Sequence, residues 1–401
     1  MPAARPAAAG RRRPDPTGPP PPEPTDDPPP CPRRGPELNQ TEQAAANEAG
    51  KDLVGQRDRD AVPCARRVTL VAIGDSVTSA HIQTGFGNNC ANTTADSRRL
   101  RGNDGKTSYA GQYVDNLNRD VVRYYNVART GFDTAMMRQM AANNTDACRN
   151  FWGRNAAPIE LLFGAVRQAR YLGDHVYAVG TAGANDTNWV KIIENALTCR
   201  ALEYVDSKVP EALARVVWNT PTGEMPAQLI PDGGACTLLT TVAGEDLRLR
   251  HEVPAYNGAM KLPAVSENVR ILTDAMLRAG ADKVVWMSYH DISPAQIDIA
   301  GYIEALVRSE LPANVSNELP HLQQHLVTLI DQRFAGAVQG MVNGMNAAVW
   351  GGIPDDGRVA MADQAVGPGG IQVTMIGGSP HPNQIGHGQL AQELKETLDG
   401  L

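Results

Sequence analysis

Short apolar runs alternate along the chain with stretches of helical periodicity. The runs predict strands at Arg67–Ile73, Val121–Val127, His175–Val179 and Val284–Tyr289. The periodic stretches predict helices at Tyr109–Arg119, Pro158–Tyr171, Trp189–Val205, Ser266–Ala279, Ile303–Leu311, Leu322–Trp350 and Gln389–Leu398. A strand, helix, strand order without repeats of fixed period predicts an α/β fold in which helices cover both faces of a parallel sheet.

The helix at Ser266–Ala279 has predicted boundaries as well as a pattern. Its apolar residues recur at i, i+3 and i+7, the rhythm of one buried helix face. Ser266 is of the type that caps helix N-termini, and Gly280 is of the type that follows helix C-termini. We therefore expect the helix to begin just after Ser266.

Composition divides the chain into three parts. Residues 1–36 hold 14 of the 29 prolines and are expected to form a disordered tail. Residues 37–66 are polar and lightly helical, which predicts a linker or a peripheral helix. Residues 67–401 are long enough for one large α/β domain, with an irregular insertion at about 189–263.

Charge and hydropathy exclude several classes of protein. The net charge is −7, and the one arginine run, Arg11–Arg13, lies among prolines, so we expect no nucleic-acid binding. No apolar stretch reaches 18 residues, so no transmembrane segment is expected. His321 and His325 are four residues apart, a spacing that a helix would bring onto one face, but they lack a third ligand, so we expect neither a metal nor a cofactor.

Four polar motifs stand at the ends of predicted strands or beside the last helix. They are Gly74-Asp75-Ser76, Asn126-Val127-Ala128-Arg129-Thr130-Gly131, Gly183-Ala184-Asn185-Asp186 and Ser379-Pro380-His381-Pro382-Asn383. Alone, Gly-Asp-Ser and Gly-Ala-Asn-Asp are also typical of ordinary turns, and a single loop histidine is more often solvated than catalytic. Serine is a weak nucleophile unless a base takes its proton and donors hold the oxyanion that it creates. Ser76, His381 and Asn185 are of the residue types that these roles need.

The four motifs resemble the four blocks of the SGNH hydrolases, also called the Gly-Asp-Ser-Leu type, over roughly Arg67–Leu401. Val77 stands where the family's name-giving leucine would be. The resemblance implies a flavodoxin-like three-layer α/β/α sandwich. It implies that Ser76 is the nucleophile and His381 the general base. It also implies an oxyanion hole formed by the backbone N–H groups of Ser76 and Gly131 and the side-chain amide of Asn185.

One position departs from the family pattern. The family usually has an aspartate three residues before the histidine, where this chain has Gly378. We therefore expect a Ser76–His381 dyad, with His381 oriented by a backbone carbonyl. Asp291, which follows the fourth predicted strand, is the alternative third member of a triad.

The resemblance implies cleavage of carboxylic esters, as in lipases, esterases or carbohydrate deacetylases. The alternative is a non-catalytic ligand-binding module on the same fold, which the missing aspartate would favour. We expect a small-molecule or lipid ester as the partner and a monomeric protein. Two loop regions, His81–Gly105 and the insertion, are the candidate walls of the substrate site.

The chain has six cysteines without Cys-x-x-Cys spacing, an arrangement that disfavours zinc binding. They are Cys31, Cys64, Cys90, Cys148, Cys199 and Cys236. Secreted actinobacterial lipases and esterases, which the sequence resembles, commonly carry disulfides. We therefore expect oxidised cysteines, with Cys199–Cys236 and Cys90–Cys148 as the expected pairs, and an extracellular protein whose signal peptide is not visible. A cytoplasmic protein with free thiols is the alternative.

Overall fold

A computed structural model describes residues 31–80, 107–129, 131–138, 156–187, 258–289, 335–362, 373–376 and 379–401. The described strands are β1 (Leu53–Gln56), β2 (Val68–Ile73), β3 (Val121–Asn126), β4 (His175–Gly180), β5 (Lys283–Met287), β6 (Val359–Ala362), β7 (Val373–Ile376) and β8 (Ser379–Pro382). The described α-helices are α1 (Gln40–Ala49), α2 (Tyr109–Gln112), α3 (Thr134–Arg138), α4 (Pro158–Tyr171), α5 (Ala184–Thr187), α6 (Gly258–Ala279), α7 (Ala335–Gly352) and α8 (Gln384–Gly400).

Six strands form one sheet in the order β1-β3-β2-β4-β5-β6. Strands β2 to β6 pair in parallel, whereas β1 pairs antiparallel with β3 at one edge. Strands β7 and β8 form a separate antiparallel hairpin. The chain is therefore a mixed α/β protein.

Helices pack on both faces of the sheet. On one face, α1, α4, α6 and α7 enclose an apolar cluster that includes Ile73, Leu162, Leu272 and Trp286. On the other face, α8 packs against α2, β5 and β6. Burying one such side chain contributes about 1.5–3 kcal/mol. Coverage on both faces is compatible with a three-layer α/β fold.

The central strand shows why the apolar runs predicted strands correctly. Every residue of β2 is buried, because a central parallel strand has a helical layer on each side. Helix α4 has the predicted boundaries. Pro158 supplies its first turn, and the Glu160 carboxylate accepts a 2.9 Å hydrogen bond from the Ala157 N–H.

Two predicted helix starts are wrong. Helix α6 begins at Gly258, so Ser266 lies inside it, although Gly280 follows its end with φ +112°. Pro263 removes one backbone donor from this helix, but the fully buried Val269 and Leu272 anchor it to the core. Helix α8 begins at Gln384, earlier than predicted, because the Asn383 side chain caps it through a 3.0 Å bond from the Gly386 N–H.

Residues 37–66 contain an element that periodicity did not predict. Strand β1 extends the sheet, and α1 packs against α4. Arg59 donates a 2.6 Å hydrogen bond to the buried Asp174, and Asp52 pairs with Arg129 at 3.0 Å. These contacts attach the segment to the sheet.

Cys31 and Cys64 form a disulfide, in agreement with the expectation of oxidised cysteines. The expected pairs Cys90–Cys148 and Cys199–Cys236 lie outside the described residues. So does most of the predicted insertion, except for its last residues, 258–263, which belong to α6. Among the described helices, none combines the length and the apolar character needed to cross a membrane.

Candidate functional site

Three of the four polar motifs lie at the carboxyl edge of the parallel sheet. Ser76 follows β2, Gly131 follows β3, and Asn185 follows β4. The chain order of the parallel strands reverses between β2 and β4, since β3 lies on one side of β2 and β4 on the other. Open parallel sheets bind their ligands at such a reversal point. Ser76 and Asn185 flank it.

The turn after β2 has a backbone that only glycine accommodates. Gly74 has φ +149°, and a Cβ there would lie 2.7 Å from Thr78 Oγ1 and 2.9 Å from the Thr181 carbonyl oxygen. The Ser79 N–H donates to the Asp75 carbonyl at 2.9 Å, which closes the turn. Ser76 is the one partly exposed residue in the stretch 68–80. The turn therefore buries its neighbours and leaves the serine accessible.

Asp75 holds this turn from inside the protein. It is fully buried, and its carboxylate accepts hydrogen bonds from the Val77 N–H at 3.0 Å, from Thr181 Oγ1 at 2.8 Å and from the Tyr289 hydroxyl. Burial raises the pKa of Asp75, and these hydrogen bonds partly oppose the rise. In the sequence, Asp75 has the pattern of a turn residue, and nothing links it to Tyr289, which ends the fourth predicted strand and lies just beyond β5.

A group of hydroxyls supports the same turn. Thr78 Oγ1 lies 2.7 Å from Thr181 Oγ1 and 3.0 Å from the Tyr109 hydroxyl. The Asn126 amide donates to the Thr78 carbonyl at 2.9 Å. These bonds connect the ends of β2, β3 and β4 to α2. Such a network restricts the movement of the serine turn.

The second and third motifs are joined directly. Asn185 Nδ2 donates a 3.0 Å hydrogen bond to the carbonyl oxygen of Phe132, the residue after Gly131. Gly131 is exposed, has φ +80° and has open space where a side chain would be. The amide of an asparagine carries two N–H groups, so one remains for a ligand after this bond is made.

Asp186 makes a second connection between the same elements. Its carboxylate accepts from the Thr134 N–H, at 3.2 Å to Oδ1 and 3.0 Å to Oδ2, and from Thr134 Oγ1 at 2.5 Å. Burial is the main cause that raises the pKa of Asp186 to about 6, while the bonds from Thr134 oppose the rise. The sequence motif contained Asp186 but suggested no role for it.

Pro380 and Pro382 predict a loop around His381, but His381 lies in strand β8, paired with Thr374. Its side chain is buried, at 6% exposure. Three residues later, the Gln384 carbonyl accepts a 2.9 Å bond from Gln112 of α2. Because α2 also carries Tyr109, one short helix contacts both the histidine segment and the Ser76 turn.

Asp291 and Gly378, the two positions in question for the third triad member, lie outside the described residues. Among the residues that the structure describes, no group of three or more His, Cys, Asp or Glu side chains is placed to hold a metal ion.

A cavity of about 360 Å³ lies at the opposite edge of the sheet. Its lining includes Val68, His175 and Lys283, which stand at or near the amino ends of β2, β4 and β5. The Lys283 ammonium packs over the Tyr177 ring, 5.3 Å from its centroid. This cavity is separate from the Ser76 site because the strands run between the two edges.

The carboxyl edge thus carries a partly exposed hydroxyl on a hydrogen-bonded turn and an asparagine amide beside a glycine loop. The buried His381 lies in a segment bonded to α2, the helix that also contacts the Ser76 turn. This set of groups has the chemistry needed for acyl transfer. In a scan against protein-family models, no model matches this chain. A search of curated proteins also finds no significant match to it.

Proposed function

We propose that this protein is a serine hydrolase that cleaves carboxylic esters, on a flavodoxin-like three-layer sandwich of the SGNH type. The observation that carries the proposal is the position of Ser76. It is partly exposed on a hydrogen-bonded turn at the reversal point of the sheet, and Asn185 flanks that point from β4. The order of the parallel strands supports the fold assignment, because flavodoxin-like sheets have the same order.

The proposed reaction begins when Ser76 Oγ attacks the acyl carbonyl and His381 takes its proton. The backbone N–H groups of Ser76 and Gly131 and the Asn185 amide then hold the oxyanion. Collapse of the tetrahedral intermediate expels the alcohol, which receives the proton from His381. Water hydrolyses the acyl-enzyme by the same steps and restores Ser76.

His381 needs a hydrogen-bond partner on its other ring nitrogen to present the correct tautomer. Our first proposal is a backbone carbonyl near residues 377–379, which would make Ser76 and His381 a dyad. Asp291 is the alternative partner. Gly378 supports the dyad because glycine has no side chain to offer.

The disulfide supports a location outside the cytoplasm. Disulfides persist in oxidising compartments, whereas thiols are kept reduced in the cytosol of most cells. We therefore propose that the protein is extracellular, and that it acts as a monomer on small-molecule or lipid esters.

The test is labelling by a fluorophosphonate probe, combined with hydrolysis of p-nitrophenyl acyl esters and acetylated sugars. The wild-type protein should be labelled on Ser76, and Ser76→Ala should be neither labelled nor active. Ser79→Ala, in the same turn, should remain labelled. Ligand binding without labelling or turnover in the wild-type protein would instead establish the non-catalytic module, which the missing carboxylate at Gly378 favours.

A further inference from the structure

Two adjacent side chains of α5 hold the loop that carries Gly131. Asn185 donates to the Phe132 carbonyl at 3.0 Å, and Asp186 accepts from both the backbone and the hydroxyl of Thr134. Gly131 itself has no neighbour within 4 Å of its Cβ position. The backbone on either side of Gly131 is held instead, by the Phe132 N–H bond to the Arg129 carbonyl at 3.2 Å and by the bonds of Asn185 and Asp186.

The Asp186 contact continues beyond Thr134. Asn268 Nδ2 donates a 2.8 Å bond to Thr134 Oγ1, and Arg138 donates to the Asn268 side-chain oxygen. Thr134 and Asn268 are buried, so these bonds are shielded from water. Asp186 is thus the inner end of a chain of side chains that joins α5, α3 and α6.

We propose that Asp186 is a positioning residue that holds the Gly131 N–H in place for the oxyanion, through its bonds to Thr134. The inference rests on the proposed hydrolase function and assigns to it a residue beyond the nucleophile, the base and the oxyanion donors. Asp186 acts on the loop and does not touch the substrate. A displacement of about 1 Å in such a donor is enough to lower a rate by about 10²-fold.

The ionisable groups around Asp186 affect whether its carboxylate is charged. Asp133, on the same loop, and Tyr289, beyond β5, both interact with it electrostatically, and Arg138 is connected to it through Asn268 and Thr134. A charged carboxylate accepts both Thr134 donors, whereas the protonated form carries a hydrogen of its own and accepts less well. The hydrogen bonds from Thr134 to Asp186 should therefore weaken as the pH falls.

The first experiment compares Asp186→Asn with Asp174→Asn. Both carboxylates flank β4, but Asp174 lies before its amino end and contacts Arg59 and Thr69. We expect Asp186→Asn to lower kcat by about 10- to 100-fold with KM within about twofold. Asp174→Asn should leave kcat unchanged. Wild-type kcat and an unchanged pH profile in Asp186→Asn would overturn the proposal.

A second variant tests the proposal if Asp186→Asn does not fold. Thr134→Val keeps the carboxylate and the loop backbone but removes the hydroxyl that bridges Asp186 and Asn268. We expect it also to lower kcat with little change in KM. A fully active Thr134→Val would contradict the proposal even if Asp186→Asn failed to fold.

A third measurement does not depend on turnover. In Ser76→Ala, the Thr134 amide proton should shift with pH, with a midpoint near the Asp186 pKa of about 6, and this titration should be absent after Asp186→Asn. An amide that does not titrate would overturn the proposal. A wild-type protein without Ser76-dependent ester hydrolysis would refute the hydrolase itself, whereas an active enzyme with unaffected Asp186 variants would refute only this role.

Discussion

The Tyr289 hydroxyl donates a hydrogen bond to the Asp75 carboxylate, and so joins the end of β5 to the residue before Ser76. Both side chains are buried. The backbone of Tyr289 is itself held by Asn346 of α7, which accepts from its N–H at 2.7 Å and donates to its carbonyl at 2.9 Å. A helix on one face of the sheet therefore braces the turn of the proposed nucleophile.

Replacing Tyr289 with Phe tests this brace. Loss of the hydroxyl leaves Asp75 one donor short in a dry site, which should cost about 1–3 kcal/mol of stability and loosen the Ser76 turn. We expect kcat to fall by about 10-fold or more with KM nearly unchanged. Tyr113→Phe is the matched control, because its hydroxyl bonds Asn118 at the opposite edge. If Tyr113→Phe lowered kcat as much as Tyr289→Phe, the loss would not depend on the bond between Tyr289 and Asp75.

Replacing Asn185 with Ala should lower kcat by about 10²–10³ with little change in KM, because the amide meets charge that develops only in the transition state. The variant also loses the bond to Phe132, so the Gly131 loop should become more mobile. Steady-state kinetics on one ester measures both constants. An increase confined to KM would make Asn185 a substrate-binding residue instead.

Replacing Asp291 with Asn separates the dyad from the triad. If a backbone carbonyl orients His381, kcat should stay near normal, and the acid limb of activity should lie near the unperturbed histidine pKa of about 6.5 or below. A neutral carbonyl stabilises the imidazolium less than a carboxylate does. A loss of kcat approaching about 10⁴-fold would show that Asp291 completes a triad.

The pKa of Asp186 predicts a specific pH dependence of stability. Burial raises this pKa from 3.8 to about 6, so the folded protein binds the proton more tightly than the unfolded chain does. The contribution to the free energy of unfolding is therefore complete below about pH 4 and is lost as the pH rises through about 6. The loss amounts to roughly 3 kcal/mol for a rise of about two pKa units.

Urea unfolding of the wild-type protein and Asp186→Asn between about pH 4 and 8 measures this effect. The stability of the variant relative to wild type should increase as the pH rises through about 6, since asparagine never ionises. A difference that does not change with pH would show that Asp186 titrates alike in the folded and unfolded states.

The Cys31–Cys64 disulfide closes a loop of about 33 residues, for which chain entropy predicts a stabilisation of about 3–4 kcal/mol. We expect the double variant Cys31→Ser, Cys64→Ser to lose stability of that order in urea unfolding. Adding a reductant to the wild-type protein should lower its stability by at least as much, because it would also reduce the other expected disulfides. Equal unfolding midpoints for the oxidised wild-type protein and the double variant would show that the disulfide does not stabilise the fold.

The sequence by itself determined the central strands, helix α4 and the edge on which the motif residues lie. Strand β2 was predictable because a strand buried on both faces is a continuous apolar run. The shared edge followed because Ser76, Gly131 and Asn185 each come just after a predicted strand, and parallel strands end on the same side. These are local properties of the chain.

Only the tertiary structure decided the strand order, the short strands β1 and β6, and the partners of the buried carboxylates. Tyr289 is 214 positions from Asp75, and Asp186 is 52 positions from Thr134. Local periodicity carries no information about which distant side chain will complete a buried hydrogen bond. Once folding removes water from both carboxylates, their pKa values rise and each depends on those distant donors.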